Sequence, residues 1–202
     1  MDQPAQLVTG LCIGVGLAAA CGFRVFVPLL VMAVGARWGG VITDPGYEWV
    51  TSDIAIIGLS VATAVEIAAY YIPWVDNLLD TIATPMAVAA GSAAMATVLP
   101  DMGPMFKWGT ALIAGGGTAG VVQGATVATR ALSTATTGGV ANPVVSTGEN
   151  GSAVVMSILA IVIPIVVAIL VLVVLIWAIR RIIRWRRNRR AAMAPDEPTP
   201  AV

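Results

Sequence analysis

From Ala153 to Ile179 the chain reads AVVMSILAIVIPIVVAILVLVVLIWAI, a run of 27 residues without a single charge. A helix needs about 20 apolar residues to cross the ~30 Å hydrocarbon layer of a bilayer. Directly after the run stand Arg180, Arg181, Arg184, Arg186, Arg187, Arg189 and Arg190, seven of the chain's 11 positive charges. A basic cluster at the end of a span is retained on the cytoplasmic side. The run therefore predicts an integral membrane protein whose C-terminus is cytoplasmic.

Composition agrees. Hydrophobic residues make up 58% and charged residues 11%, and the mean hydropathy is +0.89. A soluble domain carries about 25% charged residues. The formal net charge of zero hides an asymmetry, because without the arginine tail the chain is acidic. A basic patch placed at the end of a span serves as a topology anchor and meets anionic lipid head groups. It gives no reason to expect nucleic acid as a partner. Histidine is absent, which removes the commonest general base and the commonest metal ligand. No resident cofactor is expected. Cys12 and Cys21 are too few for a disulfide framework and lack metal-ligand spacing. The start, MDQPAQLVTG, has no positive stretch, so a cleaved signal peptide is not expected.

Four further apolar blocks precede the last one. The first, 5–36, would be ~48 Å long as one helix, and it carries Gly22, Arg24 and Pro28 near its middle. Gly and Pro weaken a helix and Arg is costly in lipid. Two shorter helices, about 6–20 and 23–35, joined near Cys21-Gly22, are the better reading. They form a broken or re-entrant hairpin entering and leaving on one side. A polar loop at 37–52 holds Trp38, Tyr47 and Trp49, which suit the membrane interface. The next blocks are 54–72, ending at Pro73, then 78–99 and 105–132. A linker, 133–150, leads to the last span. Within it Asn142-Pro143 has the pattern of a helix start, so 133–150 is a second candidate re-entrant segment. Counting back from an inner tail puts this linker and the turn after Ile72 outside, and Arg37 and Lys107 inside.

The expected fold is thus an all-α membrane protein, a compact bundle of five to six transmembrane helices. Residues 1–180 form one polytopic domain. Residues 181–202 form a cytoplasmic tail, arginine-rich and then Pro-rich and disordered.

The candidate functional residues are the charges inside apolar runs. Glu66 lies well inside its span, and an ionisable residue there is a functional candidate by default. Asp76, Asp80 and Thr84 are four apart and stack on one helix face. Like charges at that spacing invite a shared cation, proton or arginine, so Asp76 and Asp80 are candidate ligands of Na⁺, Mg²⁺ or Ca²⁺. Asp at a helix start is the plainer explanation. Arg24 and Arg130 call for acidic partners, with Glu66, Glu149 and Asp80 available. Asn142 and Glu149 complete the candidate polar path. Gly116, Gly120 and Gly124, spaced by four, make a small-residue face for close helix packing, within the chain or in a homo-oligomer.

The segments GLAAACGFRVFVPLL, EIAAYYIPWVDNLLDTIATP and TRALSTATTGGVANPVVSTGEN resemble a bacterial membrane family known as domain of unknown function 4126. The likeness covers nearly all of 5–180. Its most specific element is Glu66, then Ile72-Pro73, Asp76 and Asp80. Family members often have a charged pair before that Ile-Pro, where this chain has Tyr70 and Tyr71. They often have an acidic pair at the start of the last span, where this chain has Glu149 and Asn150. The resemblance implies a compact multi-pass fold in a bacterial plasma membrane and no particular activity.

Three function classes follow. The first is a small transporter or channel for an ion or polar solute, with Glu66, Asp76, Asp80, Arg24 and Arg130 lining its path. The second is a non-transporting scaffold or lipid-binding partner, whose charges would all be paired internally. The third is a membrane enzyme on a lipid or isoprenoid diphosphate. It is the least expected, since no nucleophile–base pattern is visible.

Overall fold

The computed structural model describes residues 3–41 and 43–192, so the Pro-rich tail expected to be disordered lies outside the described residues. All regular structure among the described residues is helical. The order is α1 (Gln3–Cys21), α2 (Phe26–Trp38), a 3₁₀ turn (Pro45–Thr51), α3 (Asp53–Ala69), α4 (Pro73–Val98), α5 (Pro104–Thr110), a π-helical stretch (Ala111–Gly116), α6 (Gly117–Thr137), α7 (Asn142–Val162) and α8 (Pro164–Ala192). Among the described residues five helices are long and apolar enough to cross a membrane, or six when the 3₁₀ turn and α3, bent by 62°, count as one span.

α1 is the axis of the bundle. Leu17, Ala18, Ala19, Ala20 and Cys21 have almost no exposed surface. Its small residues let neighbours approach closely, the usual route to cohesion where apolar burial alone gains nothing over lipid. A Cβ added at Gly10 would sit 2.5 Å from the Val98 carbonyl oxygen, and one added at Gly16 would sit 2.6 Å from Ala160 Cβ. The outward faces are apolar. On α3, Ile54, Ile57, Val61 and Val65 are exposed, and on α8 Ile165, Ile169, Val173 and Trp177 are exposed. Such a surface is stable against acyl chains and not against water.

The first apolar block is broken, as its Gly-Phe-Arg segment predicts. α1 ends at Cys21, the chain turns through Gly22–Val25, and α2 starts at Phe26 with Pro28 in its first turn. Proline is tolerated there because that N–H has no helical partner anyway. The 133–150 segment contains no short half-helix. Its first part belongs to α6, which ends at Gly138 with a left-handed φ of +64°. Its last part opens the full-length α7 at Asn142-Pro143.

The final apolar run is two helices rather than one span. Pro164 has no N–H to give and disfavours helical geometry in the residue before it. Ile163 accordingly leaves the helix, at φ −134° and ψ +59°. A Cβ on Gly16 would touch both Ala160 and Val167 Cγ1, at 2.6 and 3.0 Å. These two residues lie on either side of the break, so the chain folds back around α1. Pro164 lies near Gly10 and Ile13 and Val167 at Gly16, so α8 runs in the direction of α1. The arginines then emerge at the end of the bundle that holds the α3–α4 and α6–α7 turns. Arg37 and Lys107 sit at the other end. This reverses the relative sides expected from counting one span.

At that other end the positive charges are matched. Lys107 Nζ lies 3.0 Å from Asp44 Oδ2, and Arg37 pairs with Asp53. The second pair is solvent-exposed, and such pairs contribute at most about 1 kcal/mol. Asp53→Asn is therefore expected to shift the melting temperature by no more than about 4 °C, given that 1 kcal/mol moves a chain of this size by about 2–4 °C. Differential scanning fluorimetry in detergent would measure it.

Candidate functional site

The break between α1 and α2 creates two unmet needs inside the bundle. The first is the N-terminus of α2, whose first N–H groups have no helical acceptor. In lipid or protein interior an unpaired N–H costs several kcal/mol. The N-cap residue, Val25, has no side chain able to help. Glu66 of α3 supplies the acceptor. Its Oε1 accepts the Val25 N–H at 2.7 Å and its Oε2 accepts the Phe26 N–H at 3.0 Å. A carboxylate at a helix N-terminus is also favoured by the helix dipole.

The second need is Arg24, which the turn carries into the interior with 1% of its surface exposed. Glu149 of α7 lies 2.9 Å from its Nη1. Asn150 Oδ1 accepts from Nε at 2.5 Å, and the Ser146 carbonyl accepts from Nη2 at 3.2 Å. Arg130 of α6 meets the same carboxylate. Its Nε donates to Glu149 Oε1 at 3.2 Å, and its Nη2 pairs with Oε2. Both guanidinium groups stand over the ring of Tyr70, with their central carbons 3.9 and 4.2 Å from its centre. Arginine over an aromatic face is attracted by the ring quadrupole, more strongly when desolvated.

The four ionisable groups Arg24, Arg130, Glu66 and Glu149 are buried, two of each sign when charged. Glu149 is seven residues into α7, so the cluster lies ~10 Å below the start of that helix at 1.5 Å per residue. A buried charge survives only with a partner, and here each has one.

Four of the eight residues proposed from sequence for a polar path, Arg24, Glu66, Arg130 and Glu149, thus come together. Thr84 lies on an exposed part of α4, and Asn142 Nδ2 donates to Thr134 Oγ1 at 3.2 Å, tying α7 to the end of α6. Asp76 and Asp80 lie in the first turns of α4. Their side chains, and with them the candidate cation site, lie outside those described. Among the described residues no three His, Cys, Asp or Glu side chains come together to hold a metal ion. Sequence reading missed Tyr70, Asn150 and Ser146 as members. Tyr70 is four residues after Glu66 on the same helical face, and Asn150 adjoins Glu149, so both could have been found by extending from the charges.

The glycine row divides differently from its spacing. Gly116 packs on Ser92 and Val88, and Gly120 on Val88, but a Cβ on Gly124 would meet open space. The tightest approach lies one residue earlier, where Gly115 faces Gly91 of α4.

These features define an all-α, multi-pass membrane protein with a buried Arg–Glu cluster at a helix break. The chain belongs to the family described as "Domain of unknown function (DUF4126)", whose profile matches residues 11–184. No curated protein and no solved structure matches it.

Proposed function

We propose that the protein moves a small anion or anionic solute across the membrane and that Glu66 is its gate. The observation that carries this reading is the seat of Glu66, a carboxylate on two open N–H groups of a buried helix N-terminus. Such a seat favours a carboxylate or small anion. Discontinuous helices that aim an N-terminus at an anion inside the bilayer are a recurring substrate site in transporters. Glu66 is the occupant that the chain itself supplies. When it takes up a proton its hold on the N–H groups weakens, and an arriving anion takes the seat. Anion and proton movements are thereby linked. The Arg24–Glu149–Arg130 set keeps the opposite wall in place and adds positive potential. In this reading the tight packing of α1 at Gly10, Gly16 and Leu17 belongs to a closed state of the path.

Reconstitution into liposomes with pH-sensitive and anion-sensitive dyes tests this. Gradients of chloride, nitrate, phosphate and short carboxylates are imposed in turn. The wild type is expected to move protons against at least one anion gradient. Glu66→Gln keeps an oxygen acceptor for one N–H but leaves the cluster with one excess positive charge, so it is expected to fold with a lowered melting temperature and, assayed below that temperature, to lose proton coupling by tenfold or more. Absence of any such flux from the folded wild type sinks the reading. It would favour the second one, a non-transporting scaffold or lipid-binding partner, whose supporting observation is the complete internal pairing of the four charges. We further propose that the arginines of α8 face the cytoplasmic leaflet of a bacterial plasma membrane and bind anionic lipid there.

A further inference from the structure

At the end of the bundle away from the charge cluster a cleft of about 390 Å³ opens between α1, α4, the loop after α2 and the α7–α8 elbow. We propose that it binds an organic cation, an ammonium group carried on an apolar body. The volume lies in the range of small-ligand sites, which are mostly apolar with a few placed polar groups. Gly10, Ile13, Val98 and Leu99 form the apolar part, and Asp44 and Asp101 are among the polar groups lining it. Gly10 packs directly against the Val98 carbonyl, and Leu99 is fully buried, so this part is a rigid, preformed surface.

The charge of the cleft has one sign. Asp44 is answered by Lys107 at 3.0 Å, and one of its oxygens also accepts the Gly46 N–H. That leaves Asp101. Its Oδ1 accepts the Gly103 N–H at 3.0 Å, and its charge has no cationic partner among the described residues. Among the described residues no arginine or lysine lines the cleft. A cation is therefore favoured at this rim and an anion is opposed, the opposite preference to that of the Glu66 seat. Trp38, Trp49 and Phe106 are 66%, 65% and 73% exposed at the same end. Aromatic residues of this kind mark the membrane–water boundary. Amphiphilic cations collect at that boundary, with the amine in water and the apolar body in the acyl region. The cleft offers the same division.

The test uses the full chain in an uncharged maltoside detergent and three probes of equal chain length, octylammonium, octanol and octanoate. Thermal stability is read from intrinsic tryptophan fluorescence. Octylammonium is expected to raise the melting temperature saturably and more than octanol, and octanoate not at all. Asp101→Asn keeps the oxygen that caps Gly103 and removes the charge. It is expected to weaken octylammonium binding by about five- to tenfold, to the level of octanol, about 1 kcal/mol on the affinity scale. Thr9→Trp, which fills the cleft, is expected to remove both responses. Equal binding of the three probes, or an unchanged octylammonium affinity in Asp101→Asn, overturns the proposal. A repeat in nanodiscs separates the two sources of an ammonium group, the difference between wild type and Asp101→Asn being the signal. Loss of that difference when phosphatidylethanolamine replaces phosphatidylglycerol identifies a lipid head group as the occupant. Its persistence identifies a free organic cation.

Discussion

Glu149→Gln is expected to lower the melting temperature of the detergent-solubilised protein by about 6–20 °C. Glu149 is the shared anion of two buried guanidinium groups. Neutralising it leaves Arg24, Arg130 and Glu66, all buried, with a net charge of +1. Removing one partner of a buried ion pair costs about 3–5 kcal/mol, because the remaining charge is left desolvated. For a chain of this length that converts at about 2–4 °C per kcal/mol. The sign of the effect has a further consequence. Adding Arg130→Met to Glu149→Gln removes the excess positive charge among these four groups, with Arg24 and Glu66 left to balance each other. The double variant is expected to be more stable than Glu149→Gln alone, although it has lost more contacts. Coupling between neighbours in one network is the rule rather than the exception. Scanning fluorimetry of the two single variants and the double variant closes the cycle. A double variant no more stable than Glu149→Gln would mean that the contacts, and not the charge count, hold the cluster together.

Much of this cluster is legible in the sequence. Arg24, Glu66, Arg130 and Glu149 stand out because an ionisable residue in an apolar run is expensive and needs a reason. Their pairing was not legible, since Arg24 and Glu149 are 125 residues apart and only tertiary packing brings them together. Glu66 was read as a charge in search of a countercharge. It serves instead as the cap of another helix, a role decided by backbone N–H groups that sequence does not display. The break in the first block was visible in Gly22, Arg24 and Pro28. The break at Pro164 was not, although its proline is equally plain. An apolar run of 27 residues satisfies the length rule for one span, and proline is tolerated in membrane helices. Nothing in the composition distinguishes a kinked span from two helices that turn around Gly16. That one misreading also reversed the sides of Arg37 and Lys107 relative to the tail.

Gly115→Leu is expected to abolish the folded, monodisperse state, while Gly124→Leu leaves it intact. The two positions lie in one glycine-rich stretch, and spacing alone would favour Gly124 with Gly116 and Gly120 as the packing seam. Four residues advance an α-helix by more than one full turn, so a row spaced by four drifts by about 40° per step. Along α6 (Gly117–Thr137) that drift carries Gly124 off the face that Gly116 and Gly120 share. At Gly115 the contact is backbone on backbone. A Cβ on Gly115 would lie 2.5 Å from the Gly91 carbonyl oxygen and 2.7 Å from Met95 Cβ, whereas at Gly124 it would meet nothing within 4 Å. A carbonyl oxygen cannot rotate away as a long side chain can, so α4 and the π-helical stretch must separate. Overpacking of this kind costs about 1–3 kcal/mol where side chains can adjust, and more where they cannot. Gly91→Leu should fail for the same reason, because its Cβ would lie 2.6 Å from Ala119 Cβ and 3.0 Å from the Gly115 oxygen. Size-exclusion profiles and melting curves of the three variants decide it. A wild-type profile for Gly115→Leu, or equal damage from Gly124→Leu, would place the seam elsewhere on the helix.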